Sequence, residues 1–252
     1  MMLLPEYEPV EYETVFAADV MFFQSAKAAL VKAGSATRAI DRAERRLENH
    51  MAKLAVAREA MEDFDERGNR TKGTYEKFEA LAIAAESYEY QATEAHGPLL
   101  QQLALVHILS ANSLEAHINI RAETLLQGKF WGAFERLTID AKWLFLPKIL
   151  GLKGFVPGEE PYQGLDKLIS ARNRLVHYKP HKETYQGVDN PEGVAKKLER
   201  SFDSAERSLK TVERMVTELA DQLGADAPWW FRSDSSHFFQ TSIKKKKNGS
   251  SR

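Results

Sequence analysis

The segment Arg172-Asn173-Arg174-Leu175-Val176-His177 combines side chains that suit phosphate chemistry. Arginine presents a planar fork of N–H donors that matches a phosphate group. The asparagine amide can orient a phosphate or a ring, and histidine exchanges a proton near neutral pH. The spacing R-N-x-x-x-H puts Asn173 and His177 four residues apart, on one flank of a helix. Arg172, Asn173 and His177 are therefore the candidate catalytic residues.

The helix that should position these residues is predicted over 162–178, because Pro180 ends it. Its apolar positions form one stripe, and Arg172 falls within that stripe: Leu165, Leu168, Ile169, Leu175 and Val176. A guanidinium on packed surface needs an anion or a dense set of hydrogen-bond acceptors. An anion would be either a carboxylate, with Glu115 as the possible partner, or a substrate phosphate.

Three further residues beside the motif are candidate substrate contacts. Arg174 faces away from the apolar stripe, and Tyr178 and Lys179 follow His177 directly. Residues 164–182 carry five Lys or Arg against one Asp, a local charge of +4, whereas the first twenty residues carry five acidic side chains and no basic one. The acidic segment could lie over the motif and restrain it.

Composition and motifs exclude several classes of protein. The 252 residues have a net charge of −1 and contain no Cys, so neither a disulfide framework nor a thiolate site is available. There is no zinc-ligand spacing, Gly-rich phosphate loop or nucleophile elbow, so we expect no metal and no cofactor. His107 and His117 are expected to be core or interface residues.

The chain is predicted to be all-α, with no segment that alternates as a strand does. Residues 1–95 are taken as an acidic N-terminus followed by a helical extension, with helices over 16–32, 35–65 and 74–95. Residues 96–225 are taken as a helical bundle, with helices over 99–127, 130–149, 162–178 and 191–223. Residues 226–252 are taken as an aromatic and then basic, largely disordered tail, in which the aromatic run at 228–231 folds back.

Residues 1–13 have no basic flank and no long apolar run, so we expect no secretory signal there, and the apolar runs of the chain are too short to cross a bilayer. We therefore expect a cytoplasmic protein with no membrane partner.

Three segments of the chain together resemble one known family. The segment Ser110-Ala-Asn-Ser-Leu-Glu-Ala-His-Ile-Asn119 resembles the central helix of HEPN domains, the higher eukaryotes and prokaryotes nucleotide-binding superfamily. Asp140-Ala-Lys-Trp-Leu-Phe-Leu-Pro-Lys-Ile-Leu150 resembles the following segment in one bacterial branch, and Arg172–Pro180 resembles the signature helix. The resemblance covers roughly residues 98–223. It does not extend to residues 1–95.

The resemblance implies an elongated four-helix bundle that pairs with a second copy, so that two motifs form one composite cleft. Active members are metal-independent endoribonucleases, often toxins or antiviral effectors, which implies an RNA substrate, a homodimer and an antitoxin or defence-system partner. Arg172 would steady the scissile phosphate, Asn173 would orient it or His177, and His177 would transfer the proton during attack by the ribose 2′-hydroxyl. One toxin branch has a Tyr two residues after the His, where this chain has Lys179, so no Tyr modification is expected.

Two other interpretations remain open. The chain could be a non-catalytic HEPN-like module that binds nucleotide or RNA, or that dimerises. It could also be a helical structural protein in which Arg172 forms a buried salt bridge and His177 only complements the helix dipole.

Overall fold

The computed structural model describes residues 12–60, 72–177, 191–231 and 239–243. These contain seven α-helices, which are α1 (Ala18–Ala60), α2 (Lys72–Glu94), α3 (His96–Leu125), α4 (Lys129–Phe134), α5 (Ile139–Ile149), α6 (Tyr162–Val176) and α7 (Pro191–Gln222). A 3₁₀ turn follows at Trp229–Phe231. The all-α fold class predicted from the sequence is confirmed, while the four-helix HEPN-like arrangement stays a prediction.

The described residues also contain one small sheet, and the sequence did not predict it. Strands β1 (Tyr12–Phe16) and β2 (Phe239–Ile243) pair antiparallel, with Tyr12 opposite Ile243 and Phe16 opposite Phe239. β2 lies in the segment expected to be largely disordered. Five residues show little periodicity on their own, and each strand acquires its backbone partners only from the other end of the chain.

Helix α1 continues through Gly34, where the sequence predicted a break between helices over 16–32 and 35–65. A glycine in a helix interior costs about 1 kcal/mol relative to Ala. The turns on both sides of Gly34 are anchored because Ala29, Ala33 and Ile40 are buried. The free energy gained by burying these side chains outweighs the low helix propensity of one glycine.

The helix predicted over 130–149 is divided in two. Thr138 is extended, with ψ of 159°, and it precedes α5 as the N-cap residue. Asp140 lies in the first turn of α5, where its charge complements the positive end of the helix dipole. α5 ends before Gly151, whose φ of +74° is a left-handed conformation that glycine adopts easily.

The contacts divide the chain into two compact units, whose boundary falls within α1, α3, α6 and α7. Unit 1 contains the chain up to Ser25, Leu109–Ala171, and the chain from Leu209 onwards. Unit 2 contains Ala26–Ile108 and Arg172–Ser208. The three segments predicted along the sequence, 1–95, 96–225 and 226–252, stay a prediction.

Unit 1 has a core of large side chains from five helices. Its fully buried members include Phe23, Leu114, Ile118, Trp143, Leu146, Leu165, Leu168, Met215 and Leu219. The aromatic run folds back onto α1 as predicted, because Trp230 is 3% exposed and its ring lies 5.1 Å from that of Phe23. The Trp230 carbonyl also accepts a hydrogen bond of 2.8 Å from Gln24 Nε2.

Unit 2 contains a helical hairpin made of α1 and α2. His50 on α1 is 2.8 Å from the carbonyl oxygen of Leu81 on α2, and its ring contacts Tyr88. Glu44, earlier in α1, has its Oε1 3.9 Å from Nε2 of His96, which follows α2 as the first residue of α3. An earlier position of α1 therefore lies near a later position of the chain, so α1 and α2 run antiparallel. Within the described part of the chain, no helix is long and apolar enough to cross a membrane.

Candidate functional site

Helix α6 carries the motif on its last turns. Leu165 and Leu168 are buried and hold the first half of the helix in the core of unit 1. The predicted apolar stripe does not stay buried along the whole helix, because Leu175 is 42% exposed and Val176 is 47% exposed. The last turns of α6 therefore present the motif to the surface of unit 2.

Arg172 and Asn173 form a direct side-chain pair. Arg172 Nη1 donates a hydrogen bond of 3.0 Å to Asn173 Oδ1. Arg172 Nε is buried and has no hydrogen-bond partner among the described residues. Asn173 is therefore placed to orient the guanidinium, and Arg172 retains N–H donors for a further acceptor.

His177 extends the same helix by one hydrogen bond. Its backbone N–H donates to the Asn173 carbonyl at 2.9 Å, and its side chain is exposed. The structure therefore brings Arg172, Asn173 and His177 together on the end of one helix. The roles of these residues stay a prediction.

Of the four other predicted site residues, the structure describes Arg174 and Glu115. Arg174 is exposed on α6, and Tyr178 and Lys179 lie outside the described residues. Glu115 was predicted as a possible partner of Arg172. In the structure, Glu115 Oε1 is 3.4 Å from Nζ of Lys142, a residue that is 2% exposed.

His107 is a buried residue close to the motif whose partners the sequence did not reveal. His107 Nδ1 is 2.8 Å from Ser208 Oγ, which also donates a hydrogen bond of 3.0 Å to the carbonyl of Ser204. The hydroxyl has one proton to donate, so it accepts from His107, and the ring is protonated on Nδ1. Burial, helped by the positive charge of Arg174, lowers the pKa of His107.

A second buried histidine lies in unit 1. His117 on α3 is 4% exposed, and its Nδ1 is 2.9 Å from Oδ2 of Asp19, a residue 98 positions earlier in the chain. The sequence placed His117 in the core or at an interface, and it is a core residue. No local signal could have identified Asp19, because such a pair is created by the packing of α1 on α3.

The end of α6 combines a cation, an amide and an exposed imidazole. Such a set can hold an anionic oxygen and can take or give a proton. Its chemistry therefore fits a phosphate-containing substrate.

In comparisons with known proteins, no family model, no curated protein and no solved structure matches this chain.

Proposed function

We propose that the chain is a metal-independent endoribonuclease that acts as a homodimer, with Arg172, Asn173 and His177 of each protomer contributing to a composite site. The observation that carries the proposal is the contact between Arg172 and Asn173 at 3.0 Å, one turn before an exposed His177. Arg172, Asn173 and His177 are also the motif positions of the HEPN resemblance. The biological setting that fits this activity is a toxin or an antiviral defence effector in the cytoplasm, with an antitoxin or defence-system partner.

The proposed reaction needs no cofactor. The ribose 2′-oxygen attacks the adjacent phosphorus, the bond to the 5′-oxygen breaks, and a 2′,3′-cyclic phosphate and a 5′-hydroxyl are formed. Arg172 stabilises the charge that develops on the phosphoryl oxygens. One His177 takes the proton of the 2′-hydroxyl, and the His177 of the second protomer protonates the leaving 5′-oxygen. Arg174, Tyr178 and Lys179 are proposed to bind the RNA backbone.

The proposal is tested with a fluorescent RNA oligonucleotide in the presence of EDTA. His177→Ala should lower the cleavage rate by about 10²–10⁴-fold, because it removes the proton-transfer group. Arg172→Lys retains the charge but loses the bidentate fork, so it should also lower the rate. Ser170→Ala, an exposed position of the same helix, is the matched control and should cleave normally.

The product and the concentration dependence provide two further checks. The new 3′ end should carry a cyclic phosphate, and the rate per chain should fall when dilution dissociates the dimer. Absence of cleavage by the wild-type protein, or equal cleavage by His177→Ala, would refute the proposal.

The alternative is a non-catalytic HEPN-like module for RNA or nucleotide binding, or for dimerisation. The feature that favours it is the α1–α2 hairpin, on which several large apolar side chains are exposed: Met51, Val56, Tyr75, Ile83 and Tyr90. Such side chains are common at surfaces that contact other proteins. This alternative predicts RNA retention in a gel-shift assay without turnover, and equal retention by His177→Ala.

A further inference from the structure

A buried acid–imidazole pair in unit 1 lies beside a cavity, and the proposed ribonuclease reaction does not use it. Asp19 is 6% exposed and His117 is 4% exposed. Oδ2 of Asp19 and Nδ1 of His117 are 2.9 Å apart. An ionised carboxylate can only accept a hydrogen bond, so Nδ1 is the protonated donor. Nε2 is then the ring nitrogen that can exchange a proton with a ligand.

The surrounding side chains fix the orientation of His117. Ser113, one turn earlier on α3, donates a hydrogen bond of 2.8 Å to the Asp19 carbonyl and so ties the start of α1 to α3. The His117 ring is stacked on Trp143 at 6.3 Å, with an interplanar angle of 13°. Trp230 meets it edge-on at 6.2 Å. A ring held in this way is pre-organised for a ligand.

The cavity has the size and the lining of a small-molecule site. Its volume of about 460 Å³ is within the range typical of ligand pockets. Arg121 lies one turn after His117 on α3 and lines the same cavity, as do Asp226 and Trp230. The cavity thus combines a guanidinium and an imidazole with an aromatic wall.

We propose that this cavity binds a small ligand that carries an acidic group on a flat, apolar body. The anionic oxygens lie between the Arg121 guanidinium and Nε2 of His117. Asp19 holds the His117 ring in place through Nδ1, and Trp230 contacts the flat part of the ligand. The acidic group is either a phosphate ester or a carboxylate, since both present the same pair of oxygens to Arg121.

Calorimetric titration with two pairs of probes distinguishes a phosphate ester from a carboxylate as the acidic group of the ligand. Phenyl phosphate is compared with phenol, and benzoate with benzamide, so that each anion has a neutral counterpart with the same aromatic ring. Charge-assisted hydrogen bonds predict that at least one anion binds about tenfold or more tightly than its counterpart. Preference for phenyl phosphate indicates a phosphate ester, and preference for benzoate a carboxylate. Equal binding of anion and counterpart in both pairs, or no binding, overturns the proposal.

Three variants test the residues. Arg121→Gln should weaken binding of the preferred anion about tenfold or more, and Asp226→Asn should strengthen it because a negative charge is removed from the lining. Arg136→Gln, an exposed arginine of the same unit, is the matched control and should leave the affinity unchanged. An unchanged affinity for Arg121→Gln overturns the proposal.

The imidazole itself is monitored in the folded wild-type protein, since His117→Asn could fail to fold. In ¹⁵N spectra of the histidine side chains, the preferred anion should shift the Nε2 resonance of one ring that is already protonated on Nδ1. The His107 ring is the internal control for this measurement and should not respond. If no Nε2 resonance of a ring protonated on Nδ1, other than that of His107, moves at saturation, His117 does not contact the ligand and the proposal fails.

Discussion

Breaking the ion pair between Lys142 and Glu115 should lower the stability of unit 1 more than most single substitutions do. Lys142 is 2% exposed, and the Glu115 side chain is 38% exposed. At the observed 3.4 Å and an effective dielectric constant of about 20, the Coulomb attraction is about 5 kcal/mol. Water around Glu115 screens part of this attraction, so we expect Glu115→Gln to lower the free energy of unfolding by about 2–3 kcal/mol.

A double-mutant cycle measures the coupling directly. Lys142→Met replaces the buried ammonium by an apolar group of similar length, so it should change stability by less than about 1 kcal/mol. The double variant Glu115→Gln/Lys142→Met should then recover most of the loss, which gives a coupling energy of about 2 kcal/mol. Urea denaturation of the four proteins, fitted with a common slope, supplies the values.

The same assay compares Lys142 with Arg172 as the partner of Glu115. A second cycle combines Glu115→Gln with Arg172→Met. Because Lys142 already pairs with Glu115 at 3.4 Å, we expect a coupling below about 0.5 kcal/mol in this second cycle. Coupling that is larger with Arg172 than with Lys142 would refute the reasoning and support the partner suggested by the sequence.

Further predictions concern two glycines, a tryptophan and a histidine. Gly34→Ala should stabilise the protein by about 0.5–1 kcal/mol, because a Cβ there meets no atom within 4 Å. Its counterpart Gly164→Ala should destabilise by about 1–3 kcal/mol, because the Cβ would lie 2.6 Å from a Thr211 side-chain oxygen. Equal melting temperatures for these two variants would contradict the packing described here. Trp230→Ala should cost about 3–5 kcal/mol in urea denaturation, and a loss under 1 kcal/mol would mean that the aromatic run is not part of the core. The pKa of His107 in the folded protein is lowered from 6.5. As the pH falls below 6.5, the unfolded chain therefore binds more protons than the folded protein does, and the stability that is complete above this pH is progressively lost. His107→Gln should flatten the dependence of unfolding free energy on pH between about 7.5 and 5.5, and an unchanged profile would show that His107 does not titrate in this way.

Most helix positions could be predicted, because they depend on local signals. The predicted start and end of the helices at 162–178 and 191–223 lie within two residues of the observed bounds of α6 and α7. These limits follow from apolar periodicity and from prolines, which act within a few residues. The predicted break at Gly34 was wrong, because buried side chains on either side of it, Ala33 before and Ile40 after, stabilise a continuous α1.

The candidate site was only partly predictable. The end of α6 is a single segment, so the closeness of Arg172, Asn173 and His177 follows from helix geometry. The contact between Arg172 and Asn173 is also local, although the helical positions alone did not indicate it. Glu115 was named only as a possible partner of Arg172, because the sequence shows the sign of its charge but not which cation lies beside it. The presence of Lys142 next to Glu115 depends on how α5 packs against α3.

The sequence by itself determined an all-α chain and the closeness of Arg172, Asn173 and His177 at the end of one helix, because both depend on interactions between residues a few positions apart. The tertiary structure decided which buried charges are paired, as for Asp19 with His117 and for Lys142 with Glu115. It also decided that a cavity lies beside the first of these pairs. Such pairs join residues that are distant in the chain, and a buried charge acquires its partner only when packing brings the two groups together and removes water from at least one of them.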